Sequence, residues 1–322
     1  AKNFEALIDL LQDYSDDIMF CSDDKHPDDL MLGHINLLVK RAIEKGIDIF
    51  NVLKAACINP VLHYKLEVGL LNINDTADFI VIDNLKDFSI LQTYINGVLV
   101  AENGNDLIAT TPESIVNNFN IEEKEPTDFK IQLKHTKIKV IEVIDGQLLT
   151  KTYIGEVDLD AEGNAVSNIE ADILKIAVVN RYYNAPVAVA FIKNFGLKKG
   201  AIASSVAHDS HNIIVVGVDD DSICKAVNCI IEEKGGLSVT DGEQLKILPL
   251  PIAGLMSADS CEVVAQKYSE LVHFAKENGC TLHSPFMSMS FMALLVIPQL
   301  KLSDKGLFDG EAFQFCAMEI KD

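Results

Sequence analysis

Apolar side chains at Phe4, Leu7, Ile8 and Leu11 recur at i, i+3, i+4 and i+7, so the chain opens on one helical face. A polar break (Asp13 to Asp17) precedes a four-residue apolar run, Ile18-Met19-Phe20-Cys21, which predicts a short buried strand. The acidic turn Ser22-Asp23-Asp24-Lys25-His26-Pro27-Asp28-Asp29 follows it. Pro27 suits a first helical turn, Asp28 and Asp29 favour its positive end and Gly46 supplies a stop, so one helix is expected between them. Ile35, Leu38, Val39 and Ala42 form its inward face. A third helix is expected over 49–57, capped by Asp48 and ended by Asn59-Pro60. Helix, short strand, acidic turn and helix follow the βα grammar of a parallel sheet or barrel. A lone four-residue strand needs parallel neighbours, and the chain downstream offers none that is evident. With its first methionine at position 19, the sequence is expected to be the tail of a larger protein.

From Gly69 the pattern changes to short strands at 79–82, 94–95 and 98–100, with Asn96-Gly97 as the turn and Asn103-Gly104 closing the block. A charged stretch, Glu122-Glu123-Lys124-Glu125-Pro126, reads as a connector. Strand-like runs resume at 138–144 and continue at 176–179, 187–192, 202–206 and 213–218. Helices are expected at about 222–233, led by Asp219-Asp220-Asp221, and at about 260–278, stopped by Gly279. Asp241-Gly242 marks a hairpin, and 291–297 is expected to be the final strand. The resulting division is 1–60 (last strand and helices of a barrel), 61–105 (small β domain segment), 106–165 (connector with strands) and 166–322 (α/β terminal domain).

Composition narrows the field. With 48 acidic against 27 basic residues the net charge is −21, which disfavours a broad phosphate-binding face, so no nucleic-acid partner is expected. The charge-free stretch 280–300 carries two prolines and has too short an apolar core for a bilayer span, so no membrane partner is expected either. Seven scattered cysteines without a CxxC pattern suit a reducing cytoplasm.

Two clusters can carry chemistry. An Asp just past the carboxyl end of a barrel strand can ligate a divalent metal and accept a proton from water, or it can merely cap the next helix; Asp23 and Asp24 occupy that position. His26 is close enough to belong to the same patch. In the second cluster, His208-Asp209-Ser210-His211, a turn would let two imidazoles converge on a metal or a purine edge, whereas a regular strand would send them to opposite faces.

The residues Cys21 to Asp29, followed by Gly33-His34-Ile35 and Arg41-Ala42, resemble the last barrel strand of the adenine deaminases of the amidohydrolase superfamily. Ala55-Ala56, Asn59-Pro60, Gly69-Leu70, the run Ala77 to Asp83 and Asn96-Gly97 resemble the superfamily's passage from barrel to small β domain. The more specific motifs are terminal: Ser205-Val206-Ala207-His208-Asp209-Ser210-His211-Asn212, Ser284-Pro285-Phe286-Met287 and Asp304-Lys305-Gly306-Leu307-Phe308-Asp309 are similar to the domain peculiar to these enzymes.

The resemblance implies an α/β protein: the end of a TIM-like metal-dependent hydrolase barrel, a small β domain and an α/β adenine-deaminase C-terminal domain. It implies hydrolysis of adenine to hypoxanthine and ammonia, with Asp23 as metal contact and proton shuttle, and Asp24 as a weaker candidate. It favours a site-lining role for His208, Asp209 and His211. A divalent metal (manganese, iron or zinc) is implied for the parent enzyme, adenine as substrate, and a homo-oligomer in the cytoplasm. The family's metal site starts from a His-x-His pair, and none of the eight histidines forms one. The chain therefore corresponds to roughly the carboxyl half and is expected, alone, neither to hold the metal nor to deaminate adenine. Two other readings stay open: a standalone purine- or partner-binding module, and a hydrolase of another cyclic amidine or amide.

Overall fold

In a computed structural model that describes residues 3–109 and 114–320, the amphipathic opening folds as helix α1 (Asn3–Leu7), which tightens into a 3-10 turn over Ile8–Gln12. Ile8 and Leu11 are its buried residues. The run at 18–21 is not a strand, contrary to its pattern. Phe20 donates its N–H to Ala55 O at 3.1 Å, and no strand among the described residues pairs with the segment. Extended backbone becomes a strand only by sharing a ladder with a neighbour.

The helix expected from Pro27 to Gly46 is two helices, α2 (Pro27–Leu32) and α3 (Ile35–Glu44). Gly33 divides them at φ +139°, where a Cβ would sit 2.8 Å from Leu37 Cγ. Beyond Asp48, whose carboxylate caps Phe50 N and Asn51 N, the helix does not end at Asn59-Pro60. It runs as α4 (Ile49–Leu53), a π turn (Lys54–Ile58) and α5 (Asn59–Tyr64). A π turn lets the chain pass Pro60, whose ring and missing N–H would otherwise break the ladder. Ile8, Leu11, Val39, Ala42, Ile47, Val52, Ala55 and Phe88 make the buried core of this part.

An antiparallel sheet follows, of β1 (Phe79–Ile82), β2 (Ile90–Ile95), β3 (Val98–Glu102) and β4 (Asn105–Asp106). Asp78 ties its turns together, accepting from Asn96 N, Gly69 N and Thr76 Oγ1 at 2.7–2.9 Å. Those donors, Asn96 N foremost, hold its carboxyl below the usual carboxylate range. The elements to this point belong to one compact unit, Ala1–Pro112; a second comprises Glu113–Asp322.

The second unit is built on a mixed eight-stranded sheet. Its strands are β5 (Lys137–Val143), β6 (Thr150–Glu156), β9 (Ile173–Val179), β10 (Ala188–Lys193), β11 (Ala201–Ser204), β12 (Ile213–Gly217), β13 (Gly236–Thr240) and β14 (Leu245–Pro249). A small pair, β7 (Asp158–Leu159) and β8 (Ala165–Val166), stands apart from it. The order is β14-β13-β11-β12-β9-β10-β5-β6, antiparallel except where β10 meets β5. Helix α6 (Asp220–Glu232), capped by Asp219, covers one face through Ala177, Val179, Ala203 and Val215. Helices α7 (Cys261–Glu277) and α8 (Pro285–Ser290) cover the other through Ile176, Val178, Ile202 and Ile214. Burial on both faces explains why these strands read as continuous apolar runs.

The expected strand at 291–297 is instead a 3-10 turn (Phe291–Ala293) continuing α8, followed by turns. Phe286, Met289, Met292 and Ala293 are buried at helical spacing, and a short apolar run cannot distinguish a strand from a buried helical turn. A three-stranded sheet, β15 (Leu300–Ser303), β16 (Gly306–Asp309) and β17 (Gln314–Phe315), completes the unit. No helix among the described residues is long and apolar enough to cross a membrane.

Candidate functional site

Asp23 sits where the extended segment turns into α2, in the left-handed region at φ +55°. That conformation is uncommon for a non-glycine residue and is tolerated by Asp because its short carboxylate can bond locally. Asp23 Oδ1 accepts Asp24 N at 2.9 Å, while Asp23 N points at Cys21 Sγ at 3.3 Å. Both Asp23 and Asp24 are exposed. Around them, Ser22 Oγ meets His34 Nε2 at 2.6 Å, and Lys25 Nζ donates to Gly33 O. His26 takes the N-cap position of α2 without a side-chain capping bond. The acidic turn is thus braced across the α2–α3 break, with Asp23 and Asp24 at the surface.

The second cluster behaves differently. Residues 208–210 form a turn between β11 and β12, which brings the His208 and His211 ring centroids to 5.7 Å. The strand alternative, with the two imidazoles on opposite faces, does not apply. His208 lies flat against Phe291, with centroids 5.0 Å apart and planes 15° apart, and its N–H donates to Ser290 O at 3.2 Å. Asp209 Oδ1 is 3.8 Å from His208 Nδ1 and mostly exposed. His211 N closes the turn on Ala207 O at 2.7 Å. Ser205 is structural: fully buried, it donates to Gly254 O at 2.6 Å and accepts Gly236 N at 2.8 Å.

Three of the terminal motifs meet here. The 205–212 motif contacts the end of α8, which the Ser284–Met287 motif begins, through Ser290 and Phe291. Asp304 Oδ2 accepts Asn180 Nδ2 at 2.9 Å, and Asn180 Oδ1 accepts Tyr182 N at 2.9 Å. Tyr182 Oη then donates to Ser210 O at 2.7 Å, and Asn212 Oδ1 accepts Arg181 N at 3.2 Å. Asn180, Arg181, Tyr182 and Phe291 were not singled out by sequence reasoning. The available signal was the abrupt polar run Asn180-Arg181-Tyr182-Tyr183-Asn184 directly after an apolar strand. Behind Phe291, the fully buried Lys301 donates to Leu148 O at 2.7 Å and Phe291 O at 3.0 Å. Burial away from any carboxylate pulls its pKa from 10.5 down to about 8.

Among the described residues, no group of three or more His, Cys, Asp or Glu side chains is arranged to hold a metal ion. Asp23 is one carboxylate whose Oδ1 already accepts a backbone N–H, and a divalent catalytic ion needs about three protein ligands. The donors of this chain do not by themselves fit such an ion.

Comparison with known proteins gives concordant results for both units. Residues 147–314 match the adenine deaminase C-terminal domain, and residues 1–100 match the amidohydrolase family, whose members imply a divalent metal. Over 98% of its length the chain is 49% identical to an adenine deaminase of Salinibacter ruber and 51% identical to one of Borreliella burgdorferi. It is 49% identical to one of Methanosarcina mazei, also over 98%. The chain spans 58–59% of the length of these curated relatives. Matched over more than half of its length, it belongs to the family of the adenine deaminase C-terminal domain, with an amidohydrolase segment ahead of that domain.

Proposed function

We propose that this chain is the carboxyl-terminal part of an adenine deaminase, a cytoplasmic homo-oligomer that converts adenine and water to hypoxanthine and ammonia. What carries the reading is near-50% identity to proteins so named, sustained over 98% of the chain and through both units. In this reaction water adds across C6 and N1 of the purine, its oxygen to C6 and one proton to N1; the second proton passes to the exocyclic amine, and the C6–N bond breaks as ammonia leaves and the C6 oxygen becomes the carbonyl. Asp23 is the candidate for the proton transfer. It is exposed at the end of the extended segment, and a carboxylate can take a proton from attacking water and pass it to the leaving amine. Asp24 and His26 lie in the same turn, and the Asp24 N–H donates to that carboxylate. The turn carrying His208, Asp209 and His211 contributes to purine recognition, since imidazole nitrogens can both donate to and accept from a purine edge. A manganese, iron or zinc ion belonging to the complete enzyme would draw most of its ligands from outside this chain, with Asp23 as the contribution from within it.

The chain alone is expected to release no ammonia from adenine, because the described residues hold no ligand set for an ion. The decisive measurement uses the natural reading frame that contains this chain. Its product releases ammonia from adenine, and Asp23→Asn lowers kcat by about 100-fold or more. Absence of turnover on adenine together with hydrolysis of a hydantoin or another cyclic amidine would replace the substrate assignment.

A further inference from the structure

Arg181 is an unusual residue for the interior. It is 4% exposed, its guanidinium stays charged at any physiological pH, and its Nε and Nη1 are buried without a hydrogen-bond partner among the described residues. Nη1 packs so closely on Gly254 that a Cβ there would lie 1.7 Å away. Among the described residues, the acceptor its side chain reaches is the hydroxyl of Tyr182, at 3.2 Å from Nη2, and the guanidinium also lies 4.9 Å above the Tyr182 ring. Tyr182 in turn donates its proton to Ser210 O at 2.7 Å, at the tip of the 208–211 turn. A phenol that accepts from a buried cation is polarised toward giving its own proton, so the two bonds reinforce each other.

We infer that Tyr182 is a positioning residue for the His208–His211 turn, with Arg181 acting through its hydroxyl. Resting on the reading of that turn as purine-recognising, this assigns the geometry of the two imidazoles in part to a side chain that reaches the turn through Ser210 O. Other restraints on the turn include the His208 stack on Phe291, the bond from His208 N to Ser290 O, the closure of His211 N on Ala207 O and the contact of Asn212 with Arg181 N. These act at the ends of the turn; Tyr182 holds its tip through Ser210 O.

The test is Tyr182→Phe in the full chain, which removes one oxygen from a half-buried residue and leaves the ring. Two signals report the turn without any ligand: amide exchange at His211, whose N–H closes it, and the His208 Cε1–H resonance, displaced by the Phe291 ring current. Loss of one hydrogen bond should raise His211 exchange about tenfold and move the His208 resonance, while amides of β9, β11 and β12 keep their protection. Unchanged signals at both histidines overturn the proposal. A uniform rise across the sheet also overturns it, since that marks a general structural role. Arg181→Lys should reproduce the effect in the parent chain and add nothing in the Tyr182→Phe background; an additive effect would show that Arg181 acts by another route. Adenine titrated into the unmodified chain tests the recognition reading separately: shifts at His208 and His211 support it, and their absence removes it while leaving the ligand-free result standing.

Discussion

The two units put polar groups to different uses. In the first, Asn59 is the one polar residue buried among the described positions, and the charged side chains stay at the surface. In the second, Lys175, Arg181 and Lys301 lie inside, with Lys175 paired to Asp220 at 2.5 Å and Lys301 satisfied only by carbonyls. Buried charges demand fixed partners, so the second unit has little freedom around them. The acidic turn at Asp23 is braced by bonds to near neighbours in sequence, whereas the His208 turn is held by residues 28 to 83 positions away. A reactive cluster can therefore be displayed locally or built by tertiary contacts, and only the first kind announces its geometry in a short stretch of sequence.

The largest expected difference concerns the cores. Phe191 is fully buried in β10, and Phe191→Ala should cost about 3–5 kcal/mol because the sheet cannot collapse onto the cavity. Phe88 is 4% exposed but borders an open groove of about 460 Å³ with Ile35, Val39, Leu53 and Ile90. Its loss removes transfer energy without enclosing a void, so Phe88→Ala should cost about 2 kcal/mol. Urea denaturation of both variants measures the contrast, and equal losses would show that the two cores are packed alike.

Next in size is the pH response of Lys301. Its folded pKa of about 8 lies below its ordinary 10.5, so the native state gives up the proton first. Below pH 8 both states are protonated and the fold bears the whole burden of a buried charge. Between 8 and 10.5 the unfolded state binds more protons, and stability rises with pH. The gain, relative to Lys301→Met, should reach about 3 kcal/mol across that window. Denaturation midpoints of the two proteins at pH 7 to 10.5 give the answer; parallel curves would mean that Lys301 is not desolvated.

The same contrast governs what the sequence disclosed. Strand β1, the Asp48 cap and the helix start at Asp219 were legible because each depends on a few adjacent residues. The break at Gly33 and the π turn before Pro60 were not, because each depends on how the flanking helices pack. At 291–297 the apolar run was visible but its period was misread, since Phe286 and Met289 upstream set the helical face. The 208–211 turn was recognised as a cluster from its residue types. Its support was not, because Tyr182 and Phe291 reach it, and Asp304 reaches Asn180 behind Tyr182, through folding alone.

The smallest expected effect tests whether the Asp23 turn is as local as it looks. Ser22 Oγ and His34 Nε2 form a short bond across the α2–α3 break, but His34 is exposed and water can replace either partner. Ser22→Ala should therefore change stability by no more than about 0.5 kcal/mol, the range of a surface substitution. The backbone at Asp23 should keep its left-handed conformation, because Asp24 N still donates to Asp23 Oδ1. Thermal unfolding and the Asp23 and Asp24 amide shifts report the two quantities. A loss above about 1.5 kcal/mol would exceed what an exposed hydrogen bond supplies and would make the acidic turn a tertiary construction like the one at His208.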